Sequence, residues 1–414
     1  MKKIIKSLFL ILLVLMITAC SMIGSDGAKS SESPDSAISA IPSTPSTNKN
    51  EALETPSPLH KPPSVWEFQS GEIQGDIRNI YYSTDHNALL LADKLYLYNL
   101  VTGHVTSEAP REAFNQQMIW AIKGGYVAVG VKVTTGNNRN GWLTTGSEIA
   151  FDAVFYDHQL NRQSVFDFNI LLKKDEHILS LKSFAFSNDG TQAAYATNTG
   201  LYLYNFNTKK KTTVVDLQVG DIATRSGIVA FEQIGFTNED RTLAFKAKSL
   251  DIPPVDGKPS FDTGGTVNVD GSELFNRIFD NYTCKELTTY NHQLLLAEDF
   301  TIPSGRLLVM DIPGGKTKLL TLTEKGESGF VTGSDNGRYL ATTLANNDKT
   351  GWKIRVYDTD TGKLQVEQYL SNGGESRYMA NDPIVRVFDD ERTYIVLLGA
   401  TQPDIKPKII IGKF

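Results

Sequence analysis

One pattern recurs along most of this 414-residue chain and limits its fold more than any other feature. A short apolar run enters a polar turn containing Asp, Asn or Gly, and a second apolar run leaves it. Copies run from Ile80 to Leu91, Phe184 to Tyr195 and Ile234 to Phe245, with looser ones from Phe330 to Ala341 and Val385 to Val396. A second strand–turn–strand unit follows: Leu95 to Gly103, Leu201 to Thr208 and Ile354 to Gly362. Looser copies of it lie at Val154–Asp157, Leu307–Asp311 and around Ile278–Asn281. Tyr, Phe, Val, Ile and Thr fill the runs, which is strand composition bounded by turn residues. Leu287 to Glu298 has a passing helical look, but the repeat places it as two strands.

Together the two units make four-stranded modules at an irregular period of about fifty residues. Seven are readable, starting near Ile77, Met118, Leu181, Gly227, Thr289, Gly329 and Ile384. Four strands per module, repeated radially, is the organisation of a β-propeller. The expected fold is therefore all-β, a seven-bladed propeller, with six or eight blades also compatible with the uneven spacing. The last module has three strands before the chain stops. The unpaired strand-like segment Ser64–Gln69 is expected to supply its fourth and to close the ring. An unclosed ring would leave a sheet edge open to aggregation.

These modules resemble the Tol-type periplasmic propeller and the wider WD-repeat-like group, in which Phe-Ser-x-Asp-Gly precedes an apolar strand. Phe186-Ser-Asn-Asp-Gly190 carries the likeness best; the Trp-Asp signature of true WD repeats is absent. The likeness covers Val65 to Phe414 and concerns repeat grammar. It implies a fold and leaves function to the individual site.

The first nineteen residues read differently. Lys2, Lys3 and Lys6 precede a ten-residue apolar run, Leu8 to Ile17, which ends in Ile17-Thr-Ala-Cys20. A basic start, a short apolar core and small residues before a cut are the parts of an export signal. The run is short against the roughly 20 apolar residues of a spanning helix. Ile-Thr-Ala-Cys resembles the lipobox of bacterial lipoproteins. That resemblance implies a diacylglycerol on the Cys20 thiol, cleavage before it, and an anchor on the extracytoplasmic face of a bacterial membrane. Residues 20–63 then form a Ser/Pro/Thr-rich tether without an aromatic residue, too polar to offset the entropy of ordering. Its 43 residues after Cys20 have a mean reach on the order of 35–40 Å. Residues 64–414 form the propeller domain.

Charge and cysteine content narrow the function. Removal of the three signal lysines leaves 38 basic residues against 47 acidic ones. An exported chain of that balance is a poor partner for nucleic acid, which selects clustered Lys and Arg. Two cysteines are present, and with Cys20 given to lipid, Cys284 has no intramolecular partner. No Gly-x-Ser-x-Gly elbow occurs, and none of His60, His86, His104, His158, His177 and His292 is spaced as a metal ligand with another His or Cys. No catalytic set, metal or cofactor is expected. Asp358-Thr-Asp360 and Asp389-Asp-Glu391 read as turn chemistry.

The long connections between the second and third strands of the second, fourth, sixth and seventh modules stand out: 134–146, 250–265, 346–352 and 401–407. In a propeller these connections leave by one face, and loops on a rigid scaffold commonly carry binding. Arg139, Trp142, Phe261, Asp262 and Trp352 are the candidate binding residues, since aromatic and Arg anchors concentrate binding energy. The expected role is a membrane-anchored binding or scaffold module for an envelope protein, peptide or glycan. A propeller enzyme of lyase or lactonase type, with residues dispersed around the channel, is the alternative.

Overall fold

A computed structural model describes residues 66–67, 71–135, 148–218, 227–249, 261–279, 284–290, 292–298, 306–311, 316–322, 329–345, 351–371, 383–398 and 407–414. The expected export signal and tether, residues 1–63, lie outside them.

The middle strands explain the architecture. Lys94–Asn99, Gly200–Asn205 and Thr393–Leu398 are buried at nearly every position. A strand buried on both faces belongs to a sheet with neighbours on both sides. Outer strands such as Arg162–Asp167 are polar and exposed by contrast. The described strands form seven four-stranded antiparallel sheets, and the fold is a seven-bladed β-propeller. Blades one to six span residues 79–110, 116–167, 184–216, 228–279, 284–321 and 329–371. Blade seven combines Ile384–Phe388, Thr393–Leu398 and Lys408–Lys413 with Trp66–Glu67 at its outer edge. Trp66 faces Ile411 and Glu67 faces Ile410. The expected closure of the ring by an N-terminal strand is therefore present.

The core is a set of wedges between neighbouring blades. Seven apolar clusters are resolved among the described residues, one for each of the seven junctions. The junction of blades seven and one holds Ile80, Leu90 and Tyr96 against Phe388, Ile395 and Ile411, so the closing junction is packed like the others.

Two expectations about blade boundaries are corrected. The first strand of blade five begins at Cys284, because the pairing of Cys284–Tyr290 with Gln293–Glu298 extends five residues before Thr289. In blade four the third strand is Phe261–Asn268, and Ile278 belongs to the fourth. Two adjacent glycines, Gly264 and Gly265, hide that strand from a composition-based reading. A Cβ at Gly265 would stand 1.9 Å from the Phe275 carbonyl oxygen, so glycine there permits the strands to pair.

The link between blades two and three, residues 168–183, is built into the body. It opens with a short 3₁₀ turn capped by Asp167, whose Oδ1 accepts the Asn169 amide at 2.8 Å. Phe168 is fully buried. Farther along, the buried Glu176 carboxylate accepts the Thr197 and Thr199 hydroxyls at 3.0 and 2.8 Å and the Lys173 amide at 2.8 Å. Lys211 Nζ adds an ion pair at 3.4 Å and lies 4.0 Å from the Tyr202 ring centroid. Burial pushes the Glu176 pKa up, but these donors and the Lys211 charge outweigh it and hold it at about 2.

Candidate functional site

Each blade is a meander, so its two ends differ. The turns joining first to second and third to fourth strands share one face; the second-to-third connections and the links between blades share the other.

The turn face is tied together. In Phe186-Ser-Asn-Asp-Gly190, the Ser187 hydroxyl donates to Asp189 Oδ1 at 2.7 Å, and the same oxygen accepts the Thr191 amide at 2.9 Å. Gly190 closes the turn at φ +71, which explains the recurring grammar of the repeat as turn chemistry. Neighbouring turns are then bonded across blades. The Lys123 amide donates to the Asn188 carbonyl at 2.6 Å, and the Asn188 amide to Asp240 Oδ2 at 2.8 Å. The Asp389 amide donates to Asp335 Oδ1 at 3.0 Å, and the Arg338 amide to Asp389 Oδ2 at 3.2 Å. His86 Nδ1 meets Glu391 Oε1 at 2.6 Å across the closing junction. His104 and His158 also sit in turns, the first 3.0 Å from Glu72 and the second 3.0 Å from the Lys123 carbonyl oxygen. These histidines and carboxylates brace the ring. Among the described residues no group of three His, Cys, Asp or Glu side chains is arranged to hold a metal ion.

The other face carries the insertions. Blades one and three make two-residue connections, Ala92–Asp93 and Asn198–Thr199. Blades two, four, five, six and seven have 136–147, 250–260, 299–305, 346–350 and 399–407 between the corresponding strands. Blade five thus adds a fifth insertion to the four read from the sequence. Arg139 and Trp142 fall outside the described residues. Phe261 and Asp262 open the third strand of blade four, opposite Ser249 and Lys248, and so stand at the base of its insertion. Trp352 lies one residue inside the third strand of blade six, with 3% of its surface exposed, in the wedge between blades six and seven. Its indole is a core group there, because the strand starts at Gly351 and draws the ring inward.

Sequence reasoning raised the channel as a possible site but named no residue of it; its wall is the seven first strands. Adjacent first strands are stitched by side chains. Gln233 stands in for a strand edge between blades four and five: its Nε2 donates to the Leu287 carbonyl at 3.1 Å and its Oε1 accepts the Leu287 amide at 3.0 Å. The Tyr81 hydroxyl donates to the Gln117 carbonyl at 2.9 Å between blades one and two. Arg386 Nε donates to the Ile80 carbonyl at 2.9 Å between blades seven and one, and its Nη1 to the Val385 carbonyl at 2.9 Å. Tyr82 reaches farthest. Its hydroxyl donates to the Gly333 carbonyl at 2.6 Å, from blade one to blade six. Blade seven lies between those two, so the bond passes on the channel side of Ile384–Phe388. The Arg386 guanidinium lies 5.7 Å from the Tyr82 ring centroid. Glu232 pairs with Lys246 at 3.0 Å in blade four. No local motif marks these residues, since each blade contributes one or two.

No family model matches the sequence. No curated protein matches it either. Solved structures do match in fold. The β-propeller domain of Cps50 (Swd1) from Myceliophteria thermophila is 10% identical, covers 85% of this chain and 100% of its own, and superposes with a TM-score of 0.53. An oligogalacturonate lyase in complex with manganese is 11% identical, covers 86% of this chain and 97% of its own, with a TM-score of 0.52. At such identity the likeness speaks for architecture: this chain has the WD40-like seven-bladed β-propeller fold.

Proposed function

We propose that this protein is a binding module, held at the outer side of a bacterial membrane by lipid on Cys20, that captures an envelope protein, peptide or glycan at its insertion-bearing face. One observation carries the reading: the two faces are unequal. Among the described residues the turn face is made of tight turns, several of them bonded to a neighbour across blades, whereas five of seven second-to-third connections are lengthened between strands that end at the opposite face. Material added on one side of a rigid ring supports recognition there.

Deleting 136–145 together with 252–260 is expected to abolish capture of the partner from detergent-solubilised envelope while moving the thermal midpoint little, because both deletions lie between strand ends. Unchanged capture by the doubly deleted protein would remove the reading. The anchor is tested separately. Cys20→Ser is expected to eliminate incorporation of a labelled fatty acid in growing cells; persistent labelling would show that the lipid sits elsewhere.

A channel enzyme is the second reading, supported by the polar groups Arg386, Glu286 and Glu232 on the first strands of three blades, with Lys246 paired to Glu232 from the second strand of blade four. Turnover of a sugar-acid or lactone substrate that survives the double deletion and is lost in Arg386→Gln would favour it.

A further inference from the structure

Among the described residues, two charged groups on the channel strands, Arg386 and Glu286, form no ion pair. Arg386 is the centre of the first strand of blade seven and is half-buried. A guanidinium carries five N–H donors, and two are fixed on the backbone carbonyls of Ile80 and Val385. Among the described residues it forms no ion pair. Other arginines behave differently: Arg162 lies 2.8 Å from Glu112 and Arg355 2.6 Å from Glu367. The Glu286 carboxylate, on the first strand of blade five, likewise forms no hydrogen bond or ion pair among the described residues, and it lies within electrostatic reach of the Tyr82 hydroxyl.

Tyr82 relates the two. Its ring packs edge-on to Phe388, with 5.4 Å between centroids, and its hydroxyl is bound to blade six, so it spans the channel side of blade seven near the turn face. Arg386 precedes Phe388 by two residues, roughly 7 Å nearer the insertion-bearing face at the rise of a β-strand. Burial pushes the Tyr82 hydroxyl far above the ordinary tyrosine range, with the Arg386 charge opposing and the Glu286 and Asp335 charges adding to the rise. The floor of the site is therefore a neutral phenol. Above it stand a guanidinium held at two points and a carboxylate on another blade. A guanidinium already fixed in place loses little freedom when an anion docks. Unpaired, half-buried charges of opposite sign on separate walls suit a ligand that carries both complements.

We infer that the channel above Tyr82 binds a small zwitterion, an amino acid or short peptide, with its carboxylate on Arg386 and its ammonium group on Glu286. The site is made of described strands and is independent of capture by the insertions.

The test uses the full chain, with the standard L-amino acids and trialanine as probes, followed by thermal shift and calorimetry at millimolar concentration. At least one probe is expected to bind saturably; a preference for trialanine over the free acids identifies the peptide source. Arg386→Gln should weaken that probe roughly tenfold to a hundredfold, the scale of a charge-assisted hydrogen-bond pair. Glu286→Gln should weaken it while leaving its N-acetylated form unchanged, whereas Arg338→Gln, exposed on the turn face, should bind as the parent does. The protein deleted in 136–145 and 252–260 should keep the site. Should Arg386→Gln fail to fold, protection of Arg386 from phenylglyoxal by bound probe in the unmodified protein gives the same answer. Absence of binding by every probe, equal binding by both channel variants, or no protection of Arg386 would overturn the assignment.

Discussion

Phe168→Ala is expected to lower the unfolding free energy by about 3–5 kcal/mol, the range for deleting a fully buried phenyl ring. The ring has no exposed surface and sits where the link leaves blade two. Its centroid lies 4.8 Å from that of Phe184, 5.0 Å from Phe166 and 5.6 Å from Tyr195. These belong to both blades, so truncation opens a cavity in the wedge rather than at a surface. The neighbours cannot close over it easily. Phe184 and Tyr195 are held in register by strand pairing, and the link is pinned downstream by Glu176 and by the bridge of Ile178 to Thr197. Denaturant unfolding measures the loss, with Val101→Ala, 66% exposed on a turn, as the neutral comparison. A loss under about 1 kcal/mol would mean that the wedge collapses around the gap.

The link also shows what a sequence of this kind conceals. Strand-and-turn repeats are legible because both faces of each middle strand are buried, which writes unbroken apolar runs such as Leu95–Tyr98 and Leu201–Tyr204 into the chain. The closing strand is legible as a remainder: the seventh module lacked one strand, and Ser64–Gln69 lacked a partner. Phe168 and Glu176 have no such mark, since their roles come from packing against residues of another blade. The channel is hidden for the same reason. Arg386 looks like a chance cation in an apolar run, and its meaning depends on Ile80 and Tyr82, some three hundred positions earlier. Trp352 illustrates the opposite error, in which an aromatic beside a loop is given to the loop although strand pairing claims it. The one-sided distribution of insertions was readable from lengths alone, because strand alternation decides which end a connection leaves by.

Asp335→Asn is expected to make the protein more stable above pH 7 and to flatten its pH dependence between about pH 4 and 7. Burial pushes the Asp335 pKa up to about 7, with the nearby Asp389 and Glu391 charges adding to the rise against the amides of Asp389 and Asn336. Asp389 is raised as well, first by burial, with the Ser334 hydroxyl and the Arg338 and Asn336 amides opposing. The sign follows from proton counts. Between the ordinary aspartate value near 4 and the folded value near 7, the folded chain holds a proton that the unfolded chain has released. Stability from this group is therefore complete at acid pH, falls as pH rises through that window and is flat above it. The fall is on the order of 2–4 kcal/mol for a shift of this size, shared with Asp389. Asparagine keeps the needed acceptor, because Asp335 Oδ1 takes the Asn336 amide at 2.9 Å and the Asp389 amide at 3.0 Å. It replaces the ionising oxygen with a donor beside Asp389, whose Oδ1 is buried without a hydrogen bond of standard geometry. Unfolding followed at pH 5 and pH 8 should show the parent losing stability across the interval and the variant losing much less. A variant that is less stable than the parent by the same amount at both values would show that the carboxylate serves blades six and seven as an acceptor alone, with no proton bound on folding.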